Sequence, residues 1–208
     1  MEKITLHYLG HACFRLDFGQ WRTVLDPYHD GMVPGLPPLH AEAEEVLCSH
    51  QHDDHNFTQA VHLSHVRGFA PYEMTTLTVP HDGDGGRLRG MNTIRIFHCG
   101  GLRVAHLGDL GRPLTAEETE ALSGLDCMLL PVGGYYTIDA QAAKAVVDVT
   151  RPRVIIPMHY RRGDVGFSEI GELSDFTDRF AEVRYEDSPL ELTRDTPRGV
   201  VVLTPELS

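Results

Sequence analysis

No segment of this sequence is apolar for long enough to cross a bilayer, and its first residues, MEKITLHYLGH, enter alternating strand-like sequence directly, with no secretory leader. A cytoplasmic protein without a membrane partner is therefore expected. Basic charge is scarce as well: 18 lysines and arginines stand against 30 aspartates and glutamates, a formal net charge of −12. That disfavours nucleic acid, since non-specific nucleic-acid and anionic-membrane binding both rely on basic surface. Cysteine is sparse. Cys13, Cys48, Cys99 and Cys127 are widely spaced with no C-x-x-C pair, so reduced, mostly buried thiols are expected. Repeats, low-complexity tracts and linkers are also missing, and 208 residues with 41% hydrophobic content suit one domain spanning residues 1–208.

What the chain does have is period-two patterning followed by a change of texture. KITLHYL and CFRLDF alternate as half-buried antiparallel strands do, with Gly19 and Gln20 able to turn the chain into a third strand, WRTVLD. The Pro/Gly-rich PYHDGMVPGLPPLH cannot be regular structure. EEVLCS, GFA, TLTV, NTIRIF and LRVAHL are further strand candidates. Beyond Gly111, TAEETEALSGL opens with Thr115 and Glu118 in capping-box spacing and predicts a helix. DCMLLPV is a continuous apolar run, as in strands covered on both faces. DAQAAKAVVDVT then predicts a helix and RVIIPM a buried strand, one βαβ unit. SEIGELSDFTDRFA predicts a third helix capped by Ser168, and EVRYE, LELT and GVVVLT close the chain as strands. The order implies a layered α/β protein with helices outside a central β core.

Histidine is abundant, at 13 residues, and its placement is uneven. In LCSHQHDDHNF, residues 47–57, His50, His52, Asp54 and His55 form an H-x-H-x-D-H pattern directly after an apolar strand candidate. His50 and His52, two apart near a strand end, can present both rings to the same side. One cation can take that pair and a second can take Asp54 and His55, since zinc-like ions favour imidazole nitrogen and carboxylate oxygen. A solvated histidine-rich loop is the bland alternative, and the spacing argues against it.

SHQHDDH resembles the signature of the metallo-β-lactamase-fold hydrolases. LGHACFRLD, LDP, VPHDGDGGRLRG, HLGDLG, PVGGYYTID and IIPMHY follow in order, similar to the small branch of L-ascorbate-6-phosphate lactonase-like proteins. The resemblance implies a four-layered αββα sandwich with a dinuclear metal site along one edge. It implies His50, His52 and His81 on one metal, Asp54, His55 and His159 on the other, and Asp109 bridging both. It also implies two divalent ions, zinc first, with manganese or iron possible by donor type. The rival to His81 is His106, which lies inside a strand-like run; His81 at a strand-to-loop junction is expected to be the ligand.

Around this set stand further candidates. His11 resembles a histidine close to the site, or is a buried structural residue. Asp26 either accepts a hydrogen bond from a ligand histidine or makes an Asp-Pro turn. Arg87 and Arg89, in a glycine-rich loop that begins at His81, can meet an anionic substrate or be solvated. Tyr135 or Tyr136 can donate to substrate, or the segment is a tight turn capped by Thr137 or Asp139. Arg161 and Arg162 follow His159 and can meet a carboxylate or phosphate. His29, His40, His62, His65 and His98 are expected to be surface or packing residues.

The expected activity is metal-dependent hydrolysis by a hydroxide held between two metals, oriented by Asp54, on a lactone, ester, amide or phosphodiester of a small polar substrate. Two other classes compete: an iron-dependent oxidoreductase on the same scaffold, and a non-catalytic metal-binding or ligand-sensing domain. His52 stands where the diiron branch usually has glutamate, which weighs against the first. The apparently full ligand set weighs against the second.

Overall fold

The alternating and continuous apolar runs of the sequence become fourteen strands, three α-helices and a short 3-10 helix (Thr58–Ala60) in the computed structural model, which describes residues 3–64 and 68–207. β1 (Ile4–Gly10), β2 (Cys13–Phe18) and β3 (Trp21–Leu25) form the antiparallel meander that their alternation predicts. With β5 (Glu45–Leu47) and β13 (Leu190–Leu192) they make a five-stranded sheet in the order β13-β1-β2-β3-β5. β7 (Glu73–Pro80), β8 (Met91–Cys99), β9 (Leu102–His106), β10 (Cys127–Pro131), β11 (Val154–Met158), β12 (Val183–Asp187) and β14 (Gly199–Thr204) make a seven-stranded sheet in the order β12-β14-β11-β10-β9-β8-β7.

The two sheets face each other across a core that includes Leu6, Phe14, Leu16, Phe97, Leu129, Ile156 and Val201. The other face of the seven-stranded sheet packs under α1 (Ala116–Ala121), α2 (Ala140–Thr150) and α3 (Leu173–Thr177). This is why CMLLP is apolar throughout: Cys127 and Leu129 point to the five-stranded sheet, Met128 and Leu130 to the helices. The outer face of the five-stranded sheet is covered by the loop around Tyr28, Val33 and Leu39 and by two short parallel strands, β4 (Ala41–Ala43) and β6 (Val61–Leu63). The architecture is the expected layered sandwich, with that outer layer built largely of loop.

Several local expectations change. α1 carries the Thr115–Glu118 capping box but ends at Ala121. The third helix starts at Leu173, not at Ser168, because Gly171 is drawn into backbone hydrogen bonds with Gly133 (2.6 Å) and Arg161 (2.9 Å) and cannot wind. GFA is not a strand: Phe69 is 97% exposed and no neighbour pairs with the segment. Strands β4 and β6 were unforeseen, being three residues each. Cys13 and Cys127 are buried, and Cys48 and Cys99 are half-buried. Among the described residues no helix is long and apolar enough to cross a membrane.

Connections at the two ends of the sandwich differ. β1, β3, β5, β7, β9 and β11 all run toward one edge and end there in the segments that carry His11, Asp26, His50–His55, His81, Asp109 and His159. The β2–β3 and β8–β9 hairpins turn at the opposite edge, through Gly19–Gln20 and Gly100–Gly101.

Candidate metal centre

The loops after six strands converge at one edge of the two sheets. Three of the residues they carry take left-handed backbone that non-glycine residues rarely adopt: His11 (φ 54°), Asp26 (φ 47°) and His159 (φ 54°). Such conformations cost roughly 1–3 kcal/mol each and collect at functional sites. The His159 amide donates to the His11 carbonyl (3.0 Å), so one sheet fixes the other at this point. Glycines allow the close approach: a Cβ on Gly111 would lie 2.2 Å from the His81 carbonyl carbon and oxygen.

Three groups of side chains bring ligand-type atoms within 4.8 Å of one another: His50, His52 and His81; His11, Asp54, His55 and His159; and Asp26, His50 and His55. Asp109 lies between the first two. Its Oδ2 is 3.2 Å from His81 Nε2, 3.3 Å from His159 Nε2 and 3.9 Å from His50 Nε2, and its Oδ1 is 3.3 Å from His55 Nε2. Three ring pairs stand edge to face or tilted: His50 and His52 have centroids 4.5 Å apart, His50 and His81 4.6 Å, His11 and His159 4.1 Å; His55 and His159 lie nearly parallel at 5.7 Å.

Two of the rings, those of His50 and His55, are held from behind. Asp26 Oδ1 accepts from the Ser49 amide (2.6 Å), and its Oδ2 accepts from Ser49 Oγ (2.5 Å) and from His55 Nδ1 (2.8 Å). Ser49 Oγ, having given its proton to Asp26, accepts from His50 Nδ1 (2.9 Å). Both rings thereby keep the proton on Nδ1 and turn the Nε2 lone pair toward the cluster. Asn92 accepts the Asp109 amide at Oδ1 (3.0 Å) while its Nδ2 donates to the Leu107 carbonyl (2.9 Å), which fixes the aspartate's backbone. Several buried atoms facing inward have no hydrogen-bond partner: His50 Nε2, His55 Nε2, both nitrogens of His81 and of His159, and Asp109 Oδ1. Buried polar atoms ordinarily find partners. A patch of unpartnered lone pairs on imidazole and carboxylate fits divalent cations.

The electrostatics are those of a site short of positive charge. Burial, reinforced by His55, pulls His50 down to about 3, and burial with His159 pulls His11 down to about 4. Burial also depresses His159, but Asp109 and Asp54 outweigh it and raise the ring to about 9. His55 is raised likewise against burial by Asp109, Asp54 and Asp26. Asp109 and Asp54 are held well below the usual carboxylate range; burial opposes this, and His159 and His55 dominate at Asp109, as His55 and His11 do at Asp54. Asp26, despite burial, is lowered to about 2 by His106 and His55. Two ionised carboxylates thus hold protons on neighbouring rings, the charge a cation would supply instead.

The remaining candidates divide. His106 points between the sheets, donating from Nε2 to the Ala12 carbonyl (2.9 Å) and accepting the Gly108 amide at Nδ1 (3.1 Å), both nitrogens used. His11 Nε2 meets Asp54 Oδ2 at 3.1 Å. A cleft of about 430 Å³ opens over the cluster, lined by His52, Asp54, His81, Asp109, Arg89, Tyr136, Phe167 and Met32 among others. Two candidates lie away from this cleft. Arg87 is exposed and paired with Asp84, and Arg161 is paired with Glu172 (2.7 Å); neither lines the cleft, because a nearer acid claims each. Tyr135 is 64% exposed and packs against Tyr136. Arg162 lines a separate small cavity beside His11 and Tyr160. His29 packs on Phe57, and His40 and His62 border another groove; His65 lies outside the described residues. Ser49, Asn92 and Phe167 were not anticipated. The only signal for Ser49 and Asn92 was a polar residue inside a strand-like run.

Known proteins resemble this chain in sequence and in fold. A profile described as a beta-lactamase superfamily domain matches residues 5–159. A UPF0173 metal-dependent hydrolase of Thermoplasma acidophilum is 27% identical over 196 residues, covering 79% of this chain and 87% of the relative. One from Archaeoglobus fulgidus is 30% identical over 197 residues, covering 76% and 83%. A crystal structure from Thermotoga maritima, of a candidate Zn-dependent hydrolase of the metallo-beta-lactamase superfamily, is 32% identical with a TM-score of 0.74, covering 98% of this chain and 100% of that one.

Proposed function

The chain belongs to the metallo-β-lactamase superfamily of metal-dependent hydrolases, and we propose that it works with two divalent cations side by side, zinc foremost. His50, His52 and His81 would hold one, Asp54, His55 and His159 the other, with Asp109 shared between them. The observation that carries this reading is the set of buried, unpartnered donor atoms on both sides of Asp109. When bound, such cations supply Lewis-acid charge at the scissile group and acidify a water.

The chain's own residues do the rest. Asp26 and Ser49 set the tautomers of His55 and His50, and His11 orients Asp54 by occupying its Oδ2. Asp54 Oδ1 is the oxygen left to accept a proton from the attacking water. The cleft, with Met32 and Phe167 in its wall, shields the reacting bond from bulk water, and its volume lies in the range of small-molecule sites, roughly 300–1,000 Å³. The substrate is a small polar molecule with a lactone, ester, amide or phosphodiester bond.

The test joins elemental analysis to an assay panel of those four bond types after loading with zinc, manganese or iron. About two metals per chain are expected. Asp109→Asn keeps the side chain's shape but loses its charge and one good oxygen ligand. It should shed metal and lower turnover by roughly 10²–10³-fold. A mutant that keeps two metals and near-normal turnover would overturn the shared-carboxylate assignment.

A further inference from the structure

The loop that follows His81 is more tightly built than its glycine content suggests. Asp82 is buried, and its carboxylate accepts four backbone amides, from Asp84 (2.8 Å), Gly86 (2.9 Å), Leu88 (3.0 Å) and Arg89 (2.8 Å). The loop closes on itself as Gly90 receives the His81 amide at its carbonyl (3.0 Å). Arg89 is thus anchored on the same turn as a cluster histidine. A flexible surface loop would not spend a buried carboxylate on its own backbone.

The two arginines of this loop part company. Arg87 turns outward and closes on Asp84. Arg89 turns into the cleft that also holds His52, Asp54, His81 and Asp109. Its guanidinium carbon lies 5.5 Å from the Tyr136 ring centre and 6.0 Å from that of Tyr135, within reach of a cation–π contact. No carboxylate pairs with it among the described residues. Aromatic rings orient a guanidinium without using its in-plane N–H donors, which suit a two-oxygen anion. In a chain of net charge −12, an arginine that shares the cleft with Asp54 and Asp109 but forms no ion pair with either is available for an anion from outside.

We propose that the cleft is selective for substrates carrying an anionic group, a carboxylate or a phosphoryl, which Arg89 binds while the scissile bond lies over the His/Asp cluster. The inference rests on the hydrolase reading for the identity of the bond, but the anion site itself is read from Arg89. Neutral esters of the same size should be poorer substrates, and the Arg89 donors should account for the difference.

The zinc- or manganese-loaded protein should be assayed on three p-nitrophenyl esters matched in length: the neutral hexanoate, the hydrogen glutarate with a carboxylate tail, and a 4-phosphonobutyrate. In each, water's oxygen joins the acyl carbon and p-nitrophenolate leaves. The wild-type kcat/KM for an anionic ester should exceed that for the neutral one by roughly tenfold or more, about what one charge-assisted hydrogen bond supplies. The better of the two anionic esters identifies the group. Arg89→Gln should bring the ratio close to one, Arg89→Lys should restore part of it, and Arg87→Gln should keep the wild-type ratio. A ratio unchanged in Arg89→Gln, or lost equally in Arg87→Gln, would overturn the proposal. If no ester is cleaved with any metal, the hydrolytic reading fails for these bonds, and calorimetry on metal-free protein decides the anion site separately. Glutarate or propyl phosphonate should then bind wild type at least tenfold more tightly than Arg89→Gln, and no binding to wild type would sink the idea.

Discussion

Asp26 touches no position where a substrate could sit, yet two cluster histidines depend on it. It accepts a hydrogen bond from His55 Nδ1 directly, and it holds Ser49 Oγ, which accepts one from His50 Nδ1. Asp26→Asn is the informative change, because asparagine tolerates the left-handed backbone found here (φ 47°) and so isolates the charge. Metal affinity should fall roughly 10–100-fold, as it does when a carboxylate behind a ligand histidine is lost. Competition with a chromophoric chelator measures it. Unchanged affinity with a lower melting temperature would mean that Asp26 only shapes the Asp-Pro turn. At this scale the sequence was legible where chemistry is dense: H-x-H-x-D-H put four residues on the page together. It was silent on Ser49 and Asn92, since a serine or asparagine inside an apolar run carries no mark of the hydrogen bond it will make across the fold.

Among the elements, the segment 107–111 shows how backbone alone can position a ligand. It leaves β9 and passes so close to His81 that Gly111 has no room for a side chain. Gly111→Ala adds one methyl group where the His81 carbonyl already stands, so either the segment or His81 must move. The site containing His50, His52 and His81 should lose occupancy before the one containing His159. Cobalt substitution followed by titration of the visible band should show one filled site instead of two. Two equally filled sites would mean that the segment yields without disturbing His81. Strands and helices were readable where local pattern and tertiary packing agree, as in the alternation of β1 and β2 or the capping box of α1. They were unreadable where pairing decides. Ala41–Ala43 and Val61–Leu63 are strands only because they find each other, and the third helix begins late only because Gly171 bonds to Gly133 and Arg161.

At the scale of the whole molecule, the cluster joins the two sheets. His11 and His50–His55 hang from the five-stranded sheet; His81, Asp109 and His159 hang from the seven-stranded one. A cation bound by both is bound only by the folded chain, so its removal lowers stability by mass action: about 2.7 kcal/mol at a metal concentration 100 times Kd. For a chain of this length each kcal/mol moves Tm by roughly 2–4 °C. Chelation should therefore lower the melting temperature by roughly 5–10 °C, and readdition of metal should restore it. A melting curve unmoved by complete metal loss, verified by elemental analysis, would show that the sheets do not rely on the shared site.

The separation of the two ends of the sandwich has a practical side. Cluster and cleft occupy one edge, while the Gly19–Gln20 turn lies at the other and a Cβ on Gly19 would meet nothing within 4 Å. An affinity peptide spliced between these two residues would extend from the hairpin tip into open space. Captured through it on a sensor chip, every molecule would present its cleft to the flowing solution, so weak ligands can be counted against a uniformly oriented surface.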